Sequence, residues 1–417
     1  MGAGRAAVEA GAPAATPPVR IAYVLDTGEM GGVETHLLTL LRHLDRRMFR
    51  PHVFLPPPAR GNRFAGALDD LAVPVTFQGM PAGLRDLAGL AGLSVALRRT
   101  RARVAHVHLR WTWDNPYATL AARLGGSAVV VSSEHSTSTA DVFPSRRARR
   151  FKRLLAALQD RIIVPCDHVG ARLTEHAGVP AEKLTTIRHG IEIPGAAAER
   201  GDGAVRRSLG VDPASPLIGM VARMEPRVKR FDDFIAAARE VAQALPSAHF
   251  VLVGDGPPAY RSTLHRLAAD LGVGDRVHFL GFRSDAARII SELDVLVMAS
   301  DNEACLPLVV LEAMARYTPA VVTSLGGARE QMIDGETGLL VPARDVAAIA
   351  GSVVRLVHDR SFAERISRRS RQAVEEHFTA PGMAERIQSL YLRLLAHRAA
   401  SAGDMGRPVA AGSQHAH

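Results

Sequence analysis

The chain has 417 residues, of which 47% are hydrophobic, and its formal net charge is +9. This length is too great for one compact domain of ordinary size and predicts two domains of roughly 150–200 residues each. The two cysteines argue against a disulfide framework, and no apolar run approaches the roughly 20 residues that cross a bilayer. We therefore expect a cytoplasmic protein, with anionic partners that are phosphates, nucleic acid or an acidic membrane surface.

Short apolar runs alternate with helical stretches through the first half of the chain. The strand candidates are 20–25, 52–55, 73–77, 104–108, 128–132, 161–165 and 184–187. Residues 33–44 carry apolar side chains at helical spacing. Strands that alternate with helices indicate parallel βαβ units. We predict a Rossmann-like domain over 20–196, preceded by a disordered tail over 1–19.

A second series of the same kind follows a linker predicted over 197–215, which is rich in Ala, Gly, Asp and Arg. Its strand candidates are 217–221, 249–253, 277–280, 295–298, 320–323 and 338–341, and its helix candidates are 231–244, 259–271 and 308–315. We predict a second Rossmann-like domain over 216–376. The predicted fold class is α/β, with two doubly wound domains that face each other across a cleft.

The end of the chain contains one long amphipathic helix, predicted over 381–397. Its apolar residues share one face, and they are Met383, Ile387, Leu390, Tyr391 and Leu394. We predict that the segment 377–397 returns towards the N-terminal domain and that 398–417 form a second disordered tail.

A glycine-containing loop follows the first strand and precedes a helix. Its glycines are Gly28, Gly31 and Gly32. Backbone N–H groups at such a helix start can hold an anion, and a plain tight turn is the alternative. The loop is not the dinucleotide motif G-x-G-x-x-G, and no acidic residue follows the strand at 52–55. This pattern argues against a nicotinamide enzyme.

Histidines stand at the ends of two neighbouring strands. His106 and His108 close the 104–108 strand on one face, and His135 follows the 128–132 strand. At the cleft, a histidine can donate a hydrogen bond to a sugar hydroxyl or a phosphate. Packing or capping is the structural alternative.

Cations and a buried carboxylate mark the second domain. Arg223 and Lys229 lie between a strand end and a helix start, which favours a pyrophosphate site over a merely solvated basic loop. Glu312 falls inside an apolar helix, where a carboxylate needs a partner. A ribose diol would supply one, and a structural ion pair with arginine is the alternative.

Together these motifs resemble the GT-B retaining glycosyltransferases of family 4, over roughly residues 20–396. The segment 300–341 is similar to the family's Glu-x7-Glu helix and the glycine turns after it. Gly31-Gly32-Val33-Glu34 resembles the N-terminal glycine loop of the family. Arg188-His189-Gly190-Ile191-Glu192 stands where the family usually reads Asn-Gly-Val/Ile-Asp.

The resemblance implies a role for each matching position. His135 would lie near the transferred sugar, and Arg223 and Lys229 would neutralise the donor diphosphate. Glu312 would bind the donor ribose. The other implied donor contacts are Gly31, Gly32, Leu308 and Val309.

One position departs from the family pattern. Glu303 and Glu312 are separated by eight residues, whereas the family has seven, so strict spacing places Ala304 at the first glutamate position. We expect a one-residue bulge in this loop to return Glu303 to the sugar, because a loop can absorb an insertion.

Retention needs no enzymic nucleophile in this family. The leaving diphosphate can accept the acceptor's proton on the same face while cations stabilise the developing charge. The sequence has no recognisable Asp-x-Asp metal motif. We expect no metal and no cofactor, with Arg223 and Lys229 in place of a divalent ion.

The acceptor side is predicted in the first domain. Residues 144–155 contain six basic residues, including Arg146 and Arg150, with apolar residues between them. Such a helix can rest on an anionic membrane or simply be solvated beside a pocket for a soluble acceptor. His108 and Trp111 are the other predicted acceptor contacts, and core packing is the alternative for Trp111.

The predicted function is transfer of a hexosyl unit from a nucleotide-sugar, with UDP favoured over GDP-mannose, to a hydroxyl of a lipid, glycan or small molecule. Two rivals are a nucleotide-sugar epimerase on the same scaffold and a non-enzymic basic module. No nucleic-acid-binding motif accompanies the arginines of 146–153, so we expect no nucleic-acid partner.

Overall fold

The first domain is built on one parallel sheet of seven strands, in the order β3-β2-β1-β4-β5-β6-β7. The computed structural model describes residues 17–27, 30–57, 62–83, 85–110, 117–136, 145–195, 201–226, 228–301 and 305–404. The strands are β1 Val19–Val24, β2 Phe49–Leu55, β3 Val75–Phe77, β4 Val104–Leu109, β5 Val129–Glu134, β6 Arg161–Val164 and β7 Leu184–Thr186. Ile21 pairs with Pro51 of β2 on one side and with Val104 of β4 on the other.

Helices cover both faces of this sheet. They are α1 Gly32–Arg42, α2 Arg63–Asp70, α3 Leu87–Thr100, α4 Ala118–Leu124, α5 Arg146–Ala157 and α6 Asp167–Arg172. Successive side chains of β1 point to opposite faces, so Tyr23 packs with Leu37 of α1 whereas Val24 packs with Leu93 of α3. Two covered faces explain why the strands are continuous apolar runs in the sequence.

The second domain repeats this plan with six parallel strands, in the order β10-β9-β8-β11-β12-β13. The strands are β8 Leu217–Val221, β9 His249–Val253, β10 Val277–Gly281, β11 Val295–Met298, β12 Ala320–Thr323 and β13 Leu339–Val341. The helices are α7 Ala204–Ser208, α8 Phe231–Ala244, α9 Pro258–Asp270, α10 Ala286–Glu292, α11 Leu308–Met314, α12 Ala328–Gln331, α13 Val346–His358 and α14 Arg360–His377. Two Rossmann-like α/β domains were predicted, and the structure confirms them.

The last helix, α15 Ala380–Asp404, returns to the first domain as predicted. Its side chains at Met383, Ile387, Leu390 and Tyr391 are buried in the same cluster as β1. The segment that leads into α15 runs beside the chain that leaves the first domain, because Ile191 pairs with Thr379. A Cβ on Gly190 would lie 2.4 Å from the carbonyl oxygen of Thr379, so only glycine allows this close approach.

Three predicted boundaries differ from the structure. The first strand begins at Val19, inside the predicted tail, and α15 extends to Asp404, beyond the predicted end at 397. The predicted linker contains α7, because Val205 packs into the core and the Glu292 carboxylate accepts the N–H group of Val205 at 3.1 Å. Residues 1–16, 196–200 and 405–417 lie outside the described residues.

Both sheets reverse their strand order at a central pair of strands. In the first domain the reversal lies between β1 and β4, and in the second between β8 and β11. Crossover helices on either side of such a point leave a crevice at the carboxyl ends of the two strands, where ligands of open α/β sheets bind. The predicted site residues follow these strand ends.

Candidate functional site

Gly31 and Gly32 of the glycine loop lie on the side of the first domain that faces the second, and Gly28 falls outside the described residues. Gly31 has an extended backbone with φ −159° and caps α1, which begins at Gly32. A Cβ on Gly32 would lie 4.0 Å from Cδ1 of Leu308, the first residue of α11. Gly32 and the start of α11 therefore face each other where the two domains meet.

Five histidines form one buried cluster beneath this loop. His36 comes from α1, His106 and His108 from β4, His135 follows β5, and His189 follows β7. Nδ1 of His108 lies 3.0 Å from Nε2 of His135, and Nδ1 of His135 lies 3.3 Å from Nε2 of His189. The rings of His106 and His108 are 4.2 Å apart, which confirms that both share one face of the strand.

Burial keeps these imidazoles neutral. It lowers the pKa of His106 to about 3 and the pKa of His189 to about 4. It also lowers the pKa of His36, His108 and His135 well below the usual value, and neighbouring histidines lower it further. At neutral pH each ring carries one donor and one acceptor nitrogen, so the cluster can bind a sugar hydroxyl but adds no positive charge.

The predicted acceptor residue His108 lies behind His135. Its side chain is buried, and its ring contacts His135, His106 and Tyr23. Any effect of His108 on an acceptor would therefore pass through the ring of His135. The alternation of side chains along the strand predicted that His106 and His108 share one face of β4. It did not predict that α1 covers this face.

Glu34 is a site residue that the sequence analysis did not single out. It lies in the first turn of α1, its side chain is 2% exposed, and burial raises its pKa to about 7. The positive charges of Arg110 and of Arg223, from the second domain, oppose this rise. A carboxyl group of the first domain and a guanidinium of the second are thus within electrostatic reach of each other.

The two predicted cations follow β8. Arg223 is exposed, and Lys229 pairs through its backbone with Ser300, next to the end of β11. Burial lowers the pKa of Lys229 to about 8, against the opposing influence of Cys305 and Glu225. The ammonium is therefore held in a partly desolvated position, where an anion would be favoured.

Glu312 lies inside α11, one turn beyond Leu308 and Val309, and all three are half-buried. Burial raises the pKa of Glu312, and the neighbouring Arg316 opposes that rise. Arg316 donates to the backbone carbonyl of Glu312 at 3.1 Å. Since α11 follows β11 and the cations follow β8, the two groups stand at adjacent strand ends.

A buried ion pair anchors the basic helix on the acceptor side. The Lys152 ammonium of α5 donates to the Glu134 carboxylate at the end of β5, and the two side chains are 1% and 0% exposed. Arg146 and Arg150 lie on the exposed surface of α5. The predicted site residues Trp111 and Glu303, together with Ala304, fall outside the described residues.

The domains also meet beside the cleft. The Glu330 carboxylate of α12 accepts the N–H groups of Asp167 and His168 at 2.8 and 2.7 Å, which caps α6 of the first domain. A Cβ on Gly327 would lie 2.9 Å from both the Cys166 sulfur and the Cys305 backbone. These contacts fix the relative position of the strand ends that carry the site.

In the part of the chain that the structure describes, no helix is both long and apolar enough to span a membrane.

Two family models match the chain, one in each domain. Residues 30–193 match the model for Glycosyltransferase Family 4, and residues 215–359 match the model for Glycosyl transferases group 1. The gap between them, 194–214, contains all but the last residue of the predicted linker.

Curated relatives share part or most of the chain. LpsE of Rhizobium meliloti (strain 1021), a lipopolysaccharide core biosynthesis glycosyltransferase, is 35% identical over 46% of this chain and 53% of that protein. The chain thus spans about half the length of this relative. The 2-deoxystreptamine N-acetyl-D-glucosaminyltransferase of Streptomyces fradiae is 29% identical over 81% of this chain and 85% of that protein.

The fold matches solved structures over nearly the whole chain. HepE of Anabaena, solved in complex with UDP, gives a TM-score of 0.76 at 21% identity and covers 90% of this chain and 100% of its own. That likeness shows a GT-B arrangement of two Rossmann-like domains. With both domains matched in sequence and fold, the chain belongs to the group 1, family 4 glycosyltransferases.

Proposed function

We propose that this chain transfers a hexosyl unit from a UDP-sugar to an acceptor hydroxyl, with retention of the anomeric configuration. The observation that carries the proposal is the meeting of two sets of strand ends across one cleft. A Cβ on Gly32 would lie 4.0 Å from Cδ1 of Leu308, and Arg223 lies within electrostatic reach of Glu34. The HepE structures hold UDP and UDP-glucose, which supports UDP over GDP.

The donor diphosphate would lie between the glycine loop and the cations. Gly31 and Gly32 leave room for its oxygens, and Arg223 and Lys229 supply positive charge. Burial disfavours the charged form of Lys229 because the ammonium loses contact with water. An anion beside this ammonium therefore interacts with it strongly. The N–H groups of Leu308 and Val309, in the first turn of α11, would also face the phosphates.

The transferred sugar and the ribose would take the remaining polar groups. The Glu312 carboxylate would accept hydrogen bonds from two hydroxyls of the ribose. A half-buried carboxylate needs such partners. The neutral ring of His135 would donate to a sugar hydroxyl in place of its contact with His189. Glu303 would contact the same sugar from the loop before α11.

In the transfer step the bond between the anomeric carbon and the phosphate oxygen breaks, while the acceptor oxygen bonds to that carbon from the same face. The acceptor proton moves to the departing diphosphate. Arg223 and Lys229 stabilise the negative charge that develops on the leaving group, which is electrostatic catalysis by fixed cations. This chemistry uses no metal ion or cofactor.

The acceptor is proposed to be a hydroxyl of a lipid, a glycan or a small molecule, bound near His108 and Trp111. Peripheral contact with an anionic membrane is proposed for α5, on which Arg146 and Arg150 are exposed and Leu154 is 67% exposed. Co-sedimentation with anionic vesicles tests this contact. Failure to bind at low salt would leave a soluble acceptor.

The experiment is incubation with UDP-glucose, UDP-N-acetylglucosamine and GDP-mannose, with detection of released UDP or GDP and NMR of the product's anomeric proton. We expect UDP release and a product with the donor's configuration. Lys229→Ala should remove most of this turnover, whereas Lys183→Ala should keep it. A new UDP-sugar formed without nucleotide release would support an epimerase instead, and an inverted product would refute retention.

A further inference from the structure

Three of the five clustered histidines converge on one point. One ring nitrogen from each of His36, His135 and His189 lies within 4.8 Å of the others, and all three side chains are buried. The distance of 3.3 Å between Nδ1 of His135 and Nε2 of His189 equals the edge of a tetrahedral site. Such an edge is about 3.3 Å when the metal–nitrogen bonds are about 2.0–2.1 Å.

The His36 ring lacks a hydrogen-bond partner among the described residues. Neither of its ring nitrogens forms a hydrogen bond with any described residue, although the ring is buried between His135 and His189 at centroid distances of 4.7 and 4.9 Å. A buried polar group without a partner is costly, so this position favours a ligand. Hydrogen bonding among the histidines joins His135 to His189 and still leaves both nitrogens of His36 without a partner among the described residues.

The outer side of the His135 ring is held in place. Nδ1 of His108 contacts the far nitrogen of His135 at 3.0 Å. Histidines that bind metals usually have such an outer partner, which fixes the tautomer and directs the inner lone pair.

The histidine cluster favours a cation over an anion. Neutral imidazoles present lone pairs and no positive charge, which disfavours an anion at their centre. Imidazole nitrogens suit zinc, copper, nickel and cobalt, whereas calcium and magnesium prefer oxygen. Three histidines with an open fourth position are a common zinc arrangement.

We propose that His36, His135 and His189 form a binding site for one divalent transition metal ion of the zinc class. The second part of the proposal rests on the proposed function. A bound ion occupies a lone pair of the His135 ring and fixes its orientation, so the ring no longer contacts the sugar. Metal binding at this site therefore inhibits transfer reversibly.

The binding test uses the full-length chain without an affinity tag, freed of metal by a chelator and titrated with Co²⁺ alone. We expect one ion per chain with the visible absorption of tetrahedral cobalt. His189→Asn introduces the residue that the related motif usually has, and His36→Gln removes the unpartnered ring. Each should weaken binding at least about tenfold. His278→Asn is the matched control, because it breaks a close histidine pair outside the cluster. In that pair Nδ1 of His249 lies 3.0 Å from Nε2 of His278.

No absorption in the wild type, or equal absorption in all variants, would overturn the site. A measurement without variants is X-ray absorption of the zinc-loaded wild type, which should show nitrogen ligands at about 2.0–2.1 Å. Sulfur ligands to the zinc ion would place it at the cysteines instead and overturn the proposal.

Inhibition is measured separately from binding. Zn²⁺ should lower UDP release by the wild type, and EDTA should restore it, while His189→Asn should resist the same concentration. If metal binds but the chain releases no UDP with any donor, the proposed function fails and the site stands. If transfer proceeds unchanged with saturated metal, the inhibitory part is wrong.

Discussion

Replacing Lys229 with methionine is expected to stabilise the protein while removing donor binding. Burial lowers the pKa of Lys229 from 10.5 to about 8. One pKa unit corresponds to about 1.4 kcal/mol, so the folded chain holds this ammonium at a cost of roughly 3 kcal/mol. Because the pKa of Lys229 is lower in the folded chain than in the unfolded chain, the charged lysine destabilises the fold below about pH 8. This destabilisation disappears as the pH rises towards 10.5.

Methionine has a similar length and no charge, so Lys229→Met should raise the free energy of unfolding by roughly 1–3 kcal/mol at pH 7. The gain should shrink as the pH approaches 10. The assay is urea denaturation followed by circular dichroism, with and without UDP. At one hundred times its Kd, UDP should stabilise the wild type by about 2.7 kcal/mol and leave the variant unchanged.

The matched control is Lys183→Met. Lys183 precedes β7, the edge strand of the first domain's sheet, and its ammonium donates to the carbonyl of Gln159 at 2.7 Å. The control should lose about 1 kcal/mol and keep the stabilisation by UDP. If Lys229→Met is less stable than the wild type at pH 7, or is still stabilised by UDP, the electrostatic reasoning is refuted.

Three further substitutions test other contacts. Lys152→Met should lower the unfolding free energy by about 3–5 kcal/mol because the buried Glu134 carboxylate loses its ammonium partner, and urea denaturation measures this loss. Gly32→Val should fold normally but bind UDP at least about tenfold more weakly by calorimetry, because the new side chain enters the cleft before Leu308. Glu330→Ala should cost about 1–2 kcal/mol and raise the donor KM, because α6 loses its cap from the second domain.

Each substitution has a result that contradicts its premise. The double variant Glu134→Gln, Lys152→Met should recover much of the lost stability, and equal instability of both variants would argue against a charge effect. Wild-type UDP affinity in Gly32→Val would separate the glycine loop from the donor. Unchanged stability and KM in Glu330→Ala would show that the cap does not couple the domains.

The strands could be predicted because both faces of each sheet are covered, which leaves continuous apolar runs in the sequence. The return helix was predictable from the single apolar face that carries Met383 and Tyr391. Its extension to Asp404 was not, because residues 396–401 are exposed and carry no periodic signal.

The site was predictable only in part. The positions of Arg223 and His135 at strand ends could be predicted because sheet topology fixes where strand ends lie. Glu34, His36 and His189 were missed as a group, since they come from separate elements that meet only after crossover connections form. The signal that was available is the position of His189, where the related family has asparagine.

The return of α15 also sets the order in which the domains can mature during synthesis. The first domain leaves the ribosome about two hundred residues before the helix that completes its core. At about 5–20 residues per second, that interval is roughly 10–40 s. Apolar side chains of β1 and α1 that later pack against Ile387 and Tyr391 stay uncovered for that time. The second domain therefore reaches its native packing first, and the nascent first domain is the part of the chain that chaperones would hold.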